Sequence, residues 1–162
     1  MIDQTDAEMR LYFRIERLFA AYCACLDEDR LEDWPALFVA DGVYRMVSRE
    51  NHAHGFPIPL LLLEGRGMLL DRVHSLRHAN IYQAHRYRHA QSGLCVTAQR
   101  DGVVSVSSSY IVVQTLGEGF TEVYQAGSYY DELLDTPDGL RFRQRLVVYD
   151  TARVKTLLAT PV

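Results

Sequence analysis

All six histidines lie between positions 52 and 89, so a bound metal ion is the first chemistry to test against the sequence. In His52-Ala53-His54 an extended backbone would send both imidazoles to one side, as in some metal-binding barrels. The carboxylate that would complete such a set is out of place, because Glu64 follows only after Gly55, Pro57 and Pro59. A second set, His78, His85 and His89, could join Asp71 or Glu64 in a two-His, one-carboxylate iron site if the run HANIYQAHRYRH were helical. That run reads better as an extended edge. Arg86, Tyr87 and Arg88 alternate with the histidines, and each guanidinium would repel a neighbouring cation. No metal set is expected in this chain.

Tyr and Arg combine apolar area with directed hydrogen bonds and are enriched where proteins meet. Tyr82, His85, Arg86, Tyr87, Arg88 and His89 are therefore read as a recognition strip, with hydrogen bonds that support the fold as the competing reading. Arg141, Arg143 and Arg145 form a second candidate, a row of guanidinium groups about 7 Å apart on one face of the last strand. Trp34, the single tryptophan, is the candidate anchor.

Covalent and cofactor chemistry find little support. Cys23 and Cys25 fall about 200° apart around a helix, so at most one faces the core, and an iron–sulfur cluster would need further Cys or His partners nearby. Three cysteines with Cys95 remote suggest reduced, structural thiols. There is no G-x-S-x-G and no P-loop, and Gly65-Arg66-Gly67 lacks the third glycine of a dinucleotide site. One enzymatic alternative stands. A pocket under a bent sheet could use Tyr22, Asp27, Tyr44, Tyr110 or Tyr129 as donor and base, with His85 as a shuttle, for isomerase, dehydratase or cyclase chemistry.

The elements that would carry these residues follow from periodicity. Leu11, Ile15, Leu18, Tyr22 and Leu26 recur in steps of four and three, predicting a helix over 6–29, with Thr5 and Glu8 as a capping box. Leu31, Trp34, Leu37 and Phe38 predict a second short helix that restarts at Pro35. Gly42 opens a half-buried strand over 43–49, and a loop over 51–59 leads to a third helix carrying Leu62, Leu69, Val73 and Leu76. From Gly93 the period becomes two. Turns at 100–102, 117–119 and 136–139 divide four strands of an antiparallel meander, with Val104, Val106, Tyr110 and Val112 opposite Ser105, Ser107 and Ser109. Three N-terminal helices covering one face of a bent antiparallel sheet make an α+β fold, a cone, and residues 1–162 read as a single domain.

Composition narrows the partners. The chain has 162 residues, 48% of them hydrophobic, and a net charge of −4, which argues against nucleic acid as the partner. The longest apolar run, Ile58 to Leu63, is broken by Pro59 and is far shorter than the about 20 residues a membrane span needs. The acidic start MIDQTDAEMR is unlike a secretory segment, so a cytoplasmic location is expected.

Three segments together resemble a known family. Trp34-Pro35 with Phe38, then Tyr44-Arg45 with Asn51 and Gly55, and then His85-Arg86-Tyr87-Arg88-His89 resemble segments that recur in the small (β) subunits of aromatic-ring-hydroxylating oxygenases, as does Arg145-Leu146-Val147-Val148-Tyr149-Asp150. Ala84 departs from that pattern, which has a basic or other polar residue before the histidine. The chain looks closest to the branch that acts on aromatic carboxylates of the terephthalate, salicylate or anthranilate type. The resemblance implies a nuclear-transport-factor-like cone, the fold of the ketosteroid isomerases, with no catalytic, cofactor-binding or metal-binding residues. It implies a partner as well: a large (α) subunit carrying a Rieske 2Fe-2S cluster and a mononuclear Fe(II). In such an assembly the small subunit forms a homotrimer and meets a ferredoxin or reductase only indirectly.

Overall fold

The computed structural model of the chain describes residues 4–56, 58–117, 119–151 and 160–162. Helix α1 runs Gln4–Asp27 and buries Ile15, Leu18, Tyr22 and Leu26, the predicted stripe, together with Phe19 and Cys25. Thr5 lies inside this helix rather than capping it. The second predicted helix is only a single 3₁₀ turn, Trp34–Leu37, because Phe38 already enters strand β1, Phe38–Ser48.

Gly42 does not open β1 but sits within it, at a register shift against the last strand between Phe38 and Val43. A Cβ there would lie 2.9 Å from that of Phe38 and 3.0 Å from the Val39 carbonyl oxygen, so the kink needs glycine. The predicted loop over 51–59 begins instead as helix α2, Arg49–His54. The Ser48 hydroxyl accepts the Asn51 N–H at 3.1 Å, and Gly55 ends the turn at φ +66°. Strand β2, Leu61–Glu64, takes Leu62 from the third predicted helix, which starts at Gly65 as α3, Gly65–His78.

Four long strands follow, β3 His85–Arg100, β4 Val103–Leu116, β5 Thr121–Thr136 and β6 Gly139–Tyr149. The meander is as predicted, but it begins at His85 rather than Gly93. The six strands form one sheet in the order β2-β1-β6-β5-β4-β3. It is mixed, not wholly antiparallel, since β1 pairs parallel with β6. The inner face, with α1 and α3 against it, closes over Trp34, Phe38, Tyr44, Tyr110, Tyr129 and Phe142.

One irregularity redirects the last strand. Opposite Glu132 and Leu133 the register jumps from Gln144 to Phe142, which leaves Arg143 as an extra, unpaired residue. A bulge of one residue exchanges the two faces of a strand. Leu140 and Phe142 therefore face inward on one side of it and Arg145 and Val147 on the other, and the expected row of three guanidinium groups does not form.

Candidate subunit interface

The strip from Tyr82 to His89 begins just before β3 and runs along it at the edge of the sheet. Alternation splits it. Arg86 and Arg88 are exposed on the outer face, whereas Tyr87 is buried inward and stacks on Tyr124 with ring centroids 5.1 Å apart. His85 is fixed between Tyr82 and Tyr87, at 5.5 and 4.6 Å, while its Nδ1 contacts the Gln83 carbonyl oxygen at 2.8 Å. The outcome is a ridge with clefts on both sides. One, of about 700 Å³, lies against the end of α1 and is lined by Asp27, Glu28, Tyr82, His85, Arg86 and Arg88 among others; a second, of about 470 Å³, adds Thr115 and Leu116.

His89 does not belong to this surface. Its side chain is 1% exposed, and its Nδ1 meets Asp27 Oδ1 at 2.6 Å, while its backbone N–H donates to both Asp27 oxygens at 3.0 and 3.1 Å. The pair joins α1 to β3, which is the fold-supporting alternative for this one residue. Asp27, a candidate base in the sequence, is thus committed to a structural bond.

Two other candidates are withdrawn from the surface by burial. Trp34 is 0% exposed and packs edge-on against Phe38 and Tyr44 at 5.5 and 5.3 Å, so it anchors the core and not a partner. Arg145 is also 0% exposed. Its Nε and Nη2 donate to Asp131 Oδ1 and Oδ2 at 3.0 and 2.8 Å, and its guanidinium lies 4.0 Å from the Tyr22 ring centroid and 4.1 Å from that of Tyr129. Burial alone would lower its pKa, but the facing carboxylate overrides this and holds Arg145 charged. Arg141 is half-buried beside the Gly139 turn, its Nη1 bonded to the Leu140 carbonyl at 3.0 Å, and Arg143 is exposed at the bulge near Glu132.

The tyrosines of the enzymatic alternative are inside the cone as well. Burial pushes the Tyr44 hydroxyl up to about 12 and those of Tyr22 and Tyr129 well above their ordinary value, which disfavours them as bases near neutral pH. Burial likewise pushes the Cys23 and Cys25 thiols up to about 11, so neither is a ready thiolate. Among the described residues no three His, Cys, Asp or Glu side chains come together. His78 ends α3 on the surface, stacked on His74, whereas the His89 side chain is enclosed against Asp27.

Sequence reasoning missed an apolar extension of the ridge. Register places Arg88 opposite Val113, and Val113 opposite Val123, while Ile111 pairs with Ala126, so all share the outer face with Arg86. Ile111 and Val123 are 46% and 65% exposed. The signal was the unbroken run Tyr110-Ile111-Val112-Val113, in which both faces of a strand are apolar.

Comparison with known proteins decides the family. The SnoaL-like domain matches residues 7–146. The chain is 51% identical to the small subunit of anthranilate 1,2-dioxygenase from Burkholderia cepacia, over 99% of this chain and 100% of that one. It belongs to the small subunits of aromatic-ring-hydroxylating dioxygenases. A second member, subunit beta 1 of the terminal oxygenase component of terephthalate 1,2-dioxygenase from Comamonas sp., is 35% identical over 88% of this small subunit and 92% of its own length. A crystal structure from Novosphingobium aromaticivorans, named for the beta subunit of an aromatic-ring-hydroxylating dioxygenase, superposes with a TM-score of 0.88 at 40% identity, covering 96% and 99% of the two chains. The expected nuclear-transport-factor-like fold is thereby established for this small subunit, and the family resemblance seen in its sequence holds.

Proposed function

We propose that this chain is the non-catalytic small subunit of a Rieske-type, non-haem iron oxygenase that hydroxylates an aromatic carboxylate, and that it acts by holding the large subunits in position. Identity of 51% along the whole of both chains to the anthranilate dioxygenase small subunit carries this reading. The 2Fe-2S cluster and the mononuclear Fe(II) belong to the large subunit. Cys23 and Cys25 do not fit a cluster, since Cys25 Sγ bonds the Arg30 carbonyl oxygen at 2.8 Å and the two thiols face different surroundings.

In this reading the ridge of His85, Arg86 and Arg88 meets the large subunit, and copies of the small subunit associate as a trimer with closed symmetry. A ferredoxin or reductase reaches the assembly through the large subunit. Guanidinium groups held on a strand edge suit such a contact because they offer planar donors at modest entropic cost. The isomerase, dehydratase or cyclase alternative is not favoured, since its tyrosines are enclosed in the cone, Asp27 is bonded to His89, and His85 is held at the sheet edge between Tyr82 and Tyr87. No helix among the described residues is long and apolar enough to cross a membrane.

Co-expression with the large subunit tests the proposal. Both chains should purify as one complex in sedimentation velocity, and Arg86→Ala with Arg88→Ala should weaken it by at least about tenfold without unfolding the small subunit. Failure of the two chains to associate would sink the assembly role; an unaffected double variant would move the contact away from the ridge.

A further inference from the structure

Residues Thr160–Val162 are buried in the cone, and Val162 is 0% exposed. The Val162 carbonyl oxygen accepts the hydroxyl protons of Tyr22 and Tyr44, each at 2.9 Å, and its N–H donates to the Tyr44 oxygen at 3.2 Å. Two fully buried phenols, one on α1 and one on β1, thus converge on a single oxygen. Donors fixed on one oxygen in a dry site are the geometry that stabilises negative charge on it. Burial pushes the Tyr44 hydroxyl up to about 12, and the Val162 backbone bond, Arg145 and Arg72 offset only part of that rise, so the two directed hydroxyls must supply most of what holds a charged oxygen there. The Val162 side chain belongs to the apolar cluster around Tyr22, Tyr44 and Phe142. Thr160 also lines the large cleft beside α1, so this segment runs from an open cleft to the enclosed phenols.

We propose that Tyr22 and Tyr44 form a binding site for a small monocarboxylate with an apolar body, which in this chain is filled by its own Val162. A carboxylate oxygen takes the place of the valine carbonyl, between the two hydroxyls, and an isopropyl or phenyl group takes the place of the side chain. Nothing in the assembly role requires the site, and it is tested on the small subunit alone.

A variant lacking Thr160–Val162 is titrated by calorimetry with isobutyrate and benzoate, with isobutyramide and benzamide as uncharged controls. It should bind each carboxylate at least about tenfold more tightly than the matching amide, and at least about tenfold more tightly than the intact chain does. Adding Tyr22→Phe and Tyr44→Phe to the shortened chain should remove at least about tenfold of that affinity. Equal titrations for the shortened and intact chains, or for acids and amides, would overturn the site. If the shortened chain does not fold unaided, it is refolded with isobutyrate or with the peptide Thr-Pro-Val. Recovery with these and not with isobutyramide supports the site, and no recovery with either overturns it. None of these outcomes bears on association with the large subunit.

Discussion

Inside the cone, Arg145 faces Asp131 and lies over the rings of Tyr22, Tyr129 and Phe142, while on β3 Arg86 and Arg88 stand exposed on either side of the buried Tyr87. Both regions are built from Arg, Tyr and a carboxylate or imidazole. In the first, the guanidinium is matched to a carboxylate and to aromatic rings of the same chain, so the chemistry stabilises and specifies the interior. In the second, the tyrosine and histidine are held from within and the guanidinium groups are left outward. The same residue types therefore serve folding or recognition according to which face of a strand they occupy, and a single bulged residue, Arg143, decides that for Arg145.

Substitutions separate the two regions by what they disturb. Arg145→Ala should have the largest effect, a loss of about 3–5 kcal/mol in urea denaturation, because it leaves Asp131 charged and enclosed. A loss below about 1 kcal/mol would mean that water reaches this pair and that the interior is wetter than its geometry implies. Asp27→Ala should cost about 1–3 kcal/mol by the same measurement, since the His89 ring and backbone N–H both lose their acceptor.

On the ridge the pattern reverses. Arg88→Ala should leave the unfolding midpoint within about 0.5 kcal/mol of the unaltered chain and weaken association with the large subunit by more than about 1 kcal/mol, read by sedimentation. A variant that destabilised the isolated chain would erase the distinction between the regions.

The smallest effect concerns Arg77, which joins α3 to the turn after α1 through Glu32, at 2.7 Å, and Asp29. The side-chain hydrogen bonds from Arg77 lower the Glu32 pKa from 4.5 to about 2. A lowered carboxyl pKa contributes stability that is full above about 4.5 and disappears as pH falls towards about 2. Glu32 is 62% exposed, so screening limits the pair to about 0.2–1 kcal/mol. Arg77→Ala should therefore cost that much at neutral pH, and the difference between the two chains should close as unfolding is repeated towards pH 2.

The helical stripe of α1 and the strands of the meander were legible because each depends on a local period. Leu11 to Leu26 repeats at helical spacing and Val104 to Val112 alternates, whatever the rest of the chain does. What escaped notice depends on distant pairing. The parallel partnership of β1 with β6 leaves no local mark, and neither do the bulges opposite Glu132 and Val112 that exchange inner and outer faces. Helix α2 was hidden for another reason. Its cap and glycine stop are standard, but they enclose six residues rich in His and followed by prolines, a composition that reads as loop.

Of the proposed contact residues, Arg86 and Arg88 could be placed on the outer face from alternation alone. Trp34 and Arg145 could not, because a large amphipathic side chain serves a core or a contact equally well until its neighbours are known.

The parallel ladder between β1 and β6 also has a consequence in time. Met46 pairs with Val147, so about 100 residues must leave the ribosome between the two partners. At translation rates of roughly 5–20 residues per second, the first strand waits on the order of 5–20 s for its neighbour. During that interval Trp34, β2 and α3 are the native cover that Phe38, Tyr44 and Met46 can find, and the side that β6 will occupy stays open.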